Sequence, residues 1–385
     1  MKIAMIGSRG IPPNYGGTET YVEQLSLQLA AQGDQVLVYG STIGDDPGLQ
    51  ARAAAYPAGI KRIEIPSVPG KHIDNFIRSL FATLHVCFQR DVDLVQFNNI
   101  GPAMFAFLPR LFGKKVVGAV RAMDSRREKW GMFARVLLRI CERLVVIFPH
   151  ATTTNSRTIA AYYRKRYGAD VHYIPNGAIE PTMPGRAPSA IRQWGLGRKD
   201  YVLFVARLVP EKGCHTLVEA FERIAWPGIK LVVAGASPYR DTYVKQLLSH
   251  TSDRILFVGH VTGDTLEELY ANAIAFVLPS SIEGMSNSLL SAMAHGCPVI
   301  VSDIAENVAV IEDVPNDKSA ETKAALVFRL GDSADLAAQL VILRDNPEQT
   351  VFRGKALQSY ARDHYSWESS AAETRQIYQQ ILDSV

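Results

Sequence analysis

The sequence predicts an α/β protein made of two doubly wound parallel sheets, and three observations carry that prediction. The chain opens as strand, glycine-rich loop, helix and strand. An apolar run spans Lys2–Ile6, a loop runs from Gly7 to Gly17, a helix covers about Thr18 to Gln32 before Gly33, and a strand follows at Gln35–Tyr39. Strands and helices alternating in this way build a parallel sheet covered on both faces. The same rhythm restarts at Tyr201–Val205, after the Pro- and Gly-containing stretch Ala178–Pro188, the best linker candidate in the chain. Finally, 385 residues are long for one hydrophobic core, so two domains of somewhat under about 200 residues each are expected.

Composition bounds the function. Hydrophobic residues make up 47% and charged residues 21%, as in ordinary soluble globular chains. Cys87, Cys141, Cys214 and Cys297 are far apart and form no Cys-x-x-Cys pair. Neither a disulfide framework nor a zinc site is indicated, and a reducing cytoplasm fits. The opening residues read as a short strand and lack the long apolar region of a signal peptide. No apolar run approaches the roughly 20 residues a membrane span needs. The net charge of +3 hides an asymmetry: residues 1–180 carry 22 Lys and Arg against 14 Asp and Glu, and the remainder carries 19 against 24. Only the first half is therefore expected to meet an anionic surface, and no nucleic-acid partner is expected.

In the first half, the opening loop is not Gly-x-Gly-x-x-Gly and no Walker lysine follows it, so dinucleotide and P-loop readings are weak. Gly16 and Gly17, just before a helix, allow close backbone approach to a diphosphate; a plain tight turn is the other reading. Residues 41–75 are rich in Gly, Pro and Ala, with one strand at Lys61–Ile65. Helix Ile73–Gln89 leads to Asp91-Val92-Asp93 and strand Leu94–Phe97. That Asp-x-Asp triplet precedes its strand, so it reads as a solvated strand entry and not as a metal site. Asn98 and Asn99 stand at the strand's C-terminal end, where open α/β sheets place ligands. Strand Lys115–Val120 runs into Arg121 and Asp124. From Arg126 to Phe148 the chain reads as a helix with an apolar face and with Arg135, Arg139 and Arg143 at every fourth residue. Such a helix suits an anionic membrane surface, or it is a buried helix with one solvated face. Short strands at Ala151–Asn155 and His172–Ile174 follow.

In the second half, Arg207 and Lys212 flank one strand-to-helix loop, so both can converge on phosphate; the helix runs to about Ala225. Strand Lys230–Ala234 ends in Gly235, and strand Ile255–Val258 in Gly259-His260-Val261. The apolar run Ala273–Leu278 is stopped by Pro279. Glu283, Gly284, Met285, Ser286, Asn287 and Ser288 then lead into a helix carrying Leu289, Leu290 and Met293, with Gly296 at its C-terminal cap and a strand after Pro298. An acid followed by small polar residues at a helix N-terminus can hold an anion or a cluster of sugar hydroxyls. An ordinary acidic loop capped by Ser286 or Asn287 is the plainer alternative.

The stretch from Glu283 to Val301 resembles the signature of the retaining family 4 glycosyltransferases, GT-B fold enzymes that use nucleotide-sugar donors. Its pattern is kept at Glu283, Gly284, Ala292, Met293, Gly296 and Pro298, while Ser291 stands where the pattern has a second acid. Arg-Leu-Val-Pro-Glu-Lys-Gly at 207–213 is similar to the family's diphosphate-binding loop. The string from Gly7 to Thr20 resembles the opening of bacterial polysaccharide rhamnosyltransferase-like members, so the resemblance covers nearly the whole chain.

It implies two Rossmann-like domains facing across a cleft. Residues 1–180 would form the acceptor-side domain, 181–365 the nucleotide-sugar-binding domain, and 366–385 a helix crossing back to the first. It implies that Arg207 and Lys212 neutralise the leaving diphosphate with no metal or cofactor. Glu283 and the backbone of Gly284–Ser288 would grip the sugar, and the turn at His260 and Val261 would meet the base. Gly16, Gly17, Arg121, Asp124, Gly235 and Ser291 would complete the donor site. Asn14, Tyr15, Glu19, Asn98 and Asn99 are expected on the acceptor side. The implied activity is retaining transfer to a saccharide or lipid-linked saccharide in cell-surface polysaccharide synthesis, in the cytoplasm at the inner face of the membrane.

Two departures refine this expectation. Arg121 stands where the family usually has a histidine that meets the sugar's 6-hydroxyl, and Ser291 is too short to span both ribose hydroxyls. Together they imply a deoxythymidine-diphosphate 6-deoxyhexose such as dTDP-rhamnose, with a uronic-acid donor as second choice. They also leave open a paralogue that binds nucleotide sugars with impaired catalysis. An epimerase on the same fold would need titratable acids near the sugar ring and no acceptor.

Overall fold

A computed structural model describes residues 1–13, 16–44, 46–66, 73–123, 131–182, 187–237, 242–317 and 322–384. The chain divides into two units, Met1–Asn176 with Trp367–Val385, and Gly177–Ser366.

The first unit runs β1 (Lys2–Ile6), α1 (Gly17–Ala31), β2 (Gln35–Gly40), α2 (Pro47–Ala54), β3 (Ile60–Glu64), α3 (Ile73–Cys87), β4 (Leu94–Asn98), α4 (Ile100–Ala103), α5 (Phe107–Leu111), β5 (Lys115–Val120), α6 (Met132–Ile147), β6 (Ala151–Thr154), α7 (Arg157–Tyr167) and β7 (His172–Tyr173). Its seven strands lie in the order β3-β2-β1-β4-β5-β6-β7, all parallel.

The second unit runs β8 (Tyr201–Val205), α8 (Cys214–Glu222), β9 (Lys230–Ala234), α9 (Thr242–Leu248), β10 (Ile255–Gly259), α10 (Gly263–Asn272), β11 (Ala275–Leu278), α11 (Asn287–Ala294), β12 (Val299–Ser302), α12 (Ala305–Ile311), β13 (Leu326–Phe328), α13 (Ser333–Asp345) and α14 (Pro347–His364). Its six parallel strands lie in the order β10-β9-β8-β11-β12-β13. Helix α15 (Trp367–Asp383) belongs to the first unit. Two doubly wound parallel sheets are the fold class expected from the sequence.

The central strands are largely apolar because helices cover both faces; Gln96 and Asn98 of β4 are buried polar exceptions that hydrogen-bond to each other. In the first unit, one face packs on α1 and α15 through Tyr21, Val22, Leu25, Leu29, Trp367 and Tyr378. The other packs on α3, α4, α6 and α7 through Ala82, Val86, Ile100, Cys141, Val145 and Tyr163. Each such side chain, fully buried, contributes about 1.5–3 kcal/mol. Asp34 fastens the α15 face, pairing with the Met1 ammonium and with Arg375 Nε at 2.8 Å each.

Some elements differ from expectation. Helix α2 lies in a stretch read as holding only a strand. Asp46 caps it, accepting from the N–H groups of Gly48 at 2.9 Å and Leu49 at 3.1 Å, with Pro47 in the first turn. Short helices α4 and α5 fill a crossover in which Pro102 and Pro109 obscure any helical period. The expected basic helix is described from Met132 onward, and its expected first turn, 126–130, lies outside the described residues.

Candidate active site

In the second unit the chain order reverses between the neighbouring strands β8 and β11. The loops leaving their C-terminal ends therefore lie side by side at a topological switch point. Gly213 has φ +69°, and a Cβ there would stand 2.1 Å from the carbonyl oxygen of Pro279, so only glycine permits this approach. Ser281 adds a clasp: its backbone N–H donates to the Glu211 carbonyl at 2.9 Å and its hydroxyl to the same oxygen at 3.3 Å. With the loops fastened, Lys212 Nζ meets Glu283 Oε1 at 2.5 Å, their side chains 18% and 8% exposed. The half-buried Arg207 stands at the start of the same loop.

The flank is equally tight. A Cβ on Gly235 would stand 1.9 Å from the Ala206 carbonyl oxygen, and the Gly235 N–H donates to Gly259 at 2.7 Å. These contacts hold the ends of β8, β9 and β10 together. Exposed His260 and half-buried Val261 follow directly after β10.

Ser286 caps α11: its hydroxyl accepts the Leu289 N–H at 3.3 Å and lies 3.0 Å from the Ser288 hydroxyl. Glu283, Gly284, Met285 and Ser286 are all buried at the approach to this helix N-terminus, and Asn287 begins it. The Met285 side chain belongs to the hydrophobic core, so its offering to a ligand is main chain. Ser291 is half-buried on α11, its carbonyl accepting from His295 N at 3.0 Å and facing His295 Nδ1 at 2.7 Å. A carbonyl only accepts, so Nδ1 carries the imidazole proton. Burial pushes the pKa of His295 down, against the opposing bond to Ser291 and the charges of Glu267 and Glu180.

The switch point of the first unit lies between β1 and β4. Gly7, at φ +103°, keeps its α-carbon beside Asn98, where a Cβ would stand 2.3 Å from the Asn98 carbonyl oxygen. Asn98, expected on the acceptor side, is fully buried; its amide donates to the Ile6 carbonyl at 3.2 Å and accepts from Gln96 at 2.9 Å. Asn98 thereby ties β4 to β1. Asn99, at φ +78°, reaches the Thr18 hydroxyl at 3.4 Å. Glu19 braces the glycine-rich loop by accepting the Arg9 N–H at 3.0 Å, and a Cβ on Gly16 would collide with its Oε2 at 1.8 Å. A side chain at Gly16 would therefore displace that carboxylate from its present position. Gly17 is the exposed first residue of α1. Asn14, Tyr15 and Asp124 lie outside the described residues.

Arg121, one residue past β5, is 8% exposed. Its guanidinium carbon sits 3.4 Å from the centroid of the Tyr21 ring, and among the described residues Nε and Nη1 have no hydrogen-bond partner. Burial pushes its pKa down, while the phenols of Tyr21 and Tyr378 oppose the shift. Tyr378 in turn donates to Gln96 Oε1. The sequence singled out Arg121 but not its neighbours Tyr21 and Tyr378, and nothing in the spacing links residues so far apart. Among the described residues no three His, Cys, Asp or Glu gather as a metal site, and no helix is long and apolar enough to cross a membrane.

Comparison with known proteins bears on both units. Residues 15–178 match the family described as Glycosyltransferase Family 4, and residues 199–346 match Glycosyl transferases group 1. The GDP-mannose-dependent alpha-(1-6)-phosphatidylinositol monomannoside mannosyltransferase of Mycobacterium tuberculosis is 29% identical, over 97% of each chain. Among solved structures, sucrose-phosphate synthase from Thermosynechococcus elongatus superposes with a TM-score of 0.83 at 22% identity, covering 100% of both chains. Anabaena HepE in complex with UDP-glucose gives 0.78 at 17% identity, covering 99% of this chain and 100% of that one.

Proposed function

We propose that this chain, a family 4 nucleotide-sugar-dependent glycosyltransferase of the GT-B type, transfers its sugar with retention and without a metal ion to a saccharide or lipid-linked saccharide of the cell surface. The observation that carries the reading is the Lys212–Glu283 pair at the switch point, beside the N-terminus of α11. Lys212 and Arg207 supply positive charge where a diphosphate departs, which stabilises charge developing in the transition state. Glu283 holds Lys212 in place and offers its second oxygen to a sugar hydroxyl; the α11 N-terminus adds main-chain donors. The departing phosphate oxygen takes the acceptor's proton in a front-face attack. The enzyme works in the cytoplasm, against the membrane that carries its acceptor.

The proposed donor is a deoxythymidine-diphosphate 6-deoxyhexose. Ser291 cannot bridge a ribose 2′,3′-diol as a glutamate would, so the advantage of ribose over deoxyribose shrinks. A uronic-acid donor, whose carboxylate would pair with an arginine at position 121, is the second reading. The mycobacterial relative is named for GDP-mannose and HepE is seen with UDP-glucose, so GDP and UDP are the rival nucleotides.

Thermal shift with dTDP, UDP and GDP decides, since a ligand at 100 times its Kd adds about 2.7 kcal/mol. dTDP is expected to bind within about tenfold of UDP, about 1.4 kcal/mol, and Ser291→Glu to favour UDP selectively. UDP or GDP binding a hundredfold tighter than dTDP overturns the deoxyribose reading. Slow hydrolysis of the preferred nucleotide sugar without acceptor separates the enzyme from an impaired paralogue.

A further inference from the structure

Helices α3, α4, α5 and α6 cover the sheet face opposite α1 and α15, and their inner sides fill the core there. Their outer sides are apolar to an unusual degree. On α3 and just after it, Phe76, Phe81, Leu84 and Phe88 are exposed, Phe88 by 71%. On α5 and its end, Phe107, Leu111 and Phe112 are exposed, Leu111 by 77%. On α6, Met132, Val136, Leu137, Ile140 and Ile147 are exposed, Met132 by 84%.

The helices are knit into one surface by ring contacts. Phe88 meets Phe112 at 5.5 Å and Phe107 meets Phe148 at 5.5 Å, joining α3 to α5 and α5 to α6. Scattered exposed leucines need no explanation, but a joined surface of this size marks an interaction site.

The charge on this layer says what it meets. Arg135, Arg139 and Arg143 form an exposed row beside the apolar row Met132, Val136 and Ile140, and Arg90 and Arg110 are exposed around α5. The acids of these helices are engaged elsewhere. Glu142 is buried and accepts from the hydroxyls of Tyr162 and Tyr167 at 3.1 Å each, and Asp74 pairs with Arg78 at 2.6 Å. Aromatic and aliphatic side chains ringed by arginine match a surface that is apolar just below a negatively charged plane.

We propose that the outer face of α3, α5 and α6 is a docking surface for the anionic headgroup and acyl boundary of a lipid bilayer. It deepens the proposed membrane-side reading, but vesicle binding is read with no sugar nucleotide present, so the two fail separately. The apolar side chains enter the boundary while the arginine row lies at headgroup level. Helix α6 rests parallel to the bilayer, its inner side anchored by Cys141 and Val145.

The test is sedimentation of the full chain with vesicles of phosphatidylcholine alone or with 30 mol% (about a third) phosphatidylglycerol, at about 0.1 M and about 1 M salt. Binding is expected only to the anionic vesicles and is expected to weaken in high salt. Replacing Arg135, Arg139 and Arg143 together by glutamine should lower partitioning about a hundredfold, from about 1 kcal/mol per basic residue. The triple change Phe81→Ser, Phe88→Ser and Leu111→Ser should also abolish sedimentation, with an unchanged melting temperature reporting an intact fold. Equal binding to neutral and anionic vesicles, no binding to either, or wild-type binding by the arginine variant overturns the proposal. Concentration-dependent self-association that hides these side chains, seen by analytical ultracentrifugation, overturns it as well.

Discussion

The two switch points share one architecture and treat charge in opposite ways. In the second unit, a lysine and a glutamate meet as a close pair because Gly213 and Ser281 force their loops together. In the first unit, a guanidinium is buried against a phenol ring with two nitrogens left without acceptors among the described residues. A buried pair with one partner removed destabilises by about 3–5 kcal/mol, whereas a buried charge lacking a partner is itself the destabilising element. The second unit therefore stabilises its two charges against each other. In the first, the cost of burying Arg121 is offset in part by its stacking on the Tyr21 ring.

Breaking the pair should have the largest effect. Lys212→Ala or Glu283→Ala is expected to lower nucleotide-sugar turnover by a hundredfold or more and stability by about 3 kcal/mol. The double variant should lose much less than the sum of the two. Full additivity in both turnover and melting would show that the residues act independently.

Next comes the clasp. Gly213→Ala adds a Cβ 2.1 Å from a carbonyl oxygen at a positive φ, whereas Gly33→Ala, at φ +86°, enters open space. Gly33→Ala reports backbone strain alone, about 1 kcal/mol. Gly213→Ala should exceed it by at least about 1–2 kcal/mol in chemical denaturation, because main chain must shift. Equal losses would mean that the two loops part without penalty.

Arg121→Met sharpens the other side of the comparison. Removing a buried, partly unpartnered charge should raise stability by about 1 kcal/mol or more while nucleotide-sugar turnover falls. A drop in melting temperature would show that stacking on Tyr21 outweighs the cost of burying the charge.

The smallest effect, a change of slope, concerns pH. Burial holds the pKa of His295 below its ordinary value near 6.5, so its neutral form is the native one. The unfolded chain takes up that proton as pH falls through about 6.5, and the fold resists it until the depressed value is reached. The contribution is thus complete above about pH 6.5 and declines below it, as the unfolded state binds a proton that the native state refuses. His295→Gln should flatten the fall in melting temperature between pH 7.5 and 5, and an unchanged slope would place the titrating group elsewhere.

How much of this could be read in advance follows from what each feature depends on. Most strands of both sheets were legible because parallel strands buried on two faces are largely apolar runs closed by Gly or Pro, as at Lys2–Gly7 and Ala275–Pro279, whereas the short β13 went unread. The cap at Ser286 and the stop at Gly296 are local chemistry, so they too were readable. Helix α2 carried an Asp-Pro start signal, hidden among glycines and alanines. The Lys212–Glu283 pair joins positions 71 residues apart, and Arg121, just past β5, meets Tyr21 on α1. Both follow from the strand order, which periodicity does not encode. Periodicity on α3 showed apolar residues but not that four aromatic and aliphatic side chains there and just beyond face outward.

The placement of α15 sets an order of events in synthesis. Trp367, Tyr378 and Ile381 complete one layer of the first unit, Ser370 donates to the Pro175 carbonyl, and Arg375 pairs with Asp34. None of these exists when the ribosome has finished β7. At about 5–20 residues per second, making Gly177–Ser366 takes about 10–40 seconds. Throughout that interval α1 presents Tyr21 and Leu25 to solvent, or to a chaperone, with no helix to cover them. The unit that emerges first is the last to close.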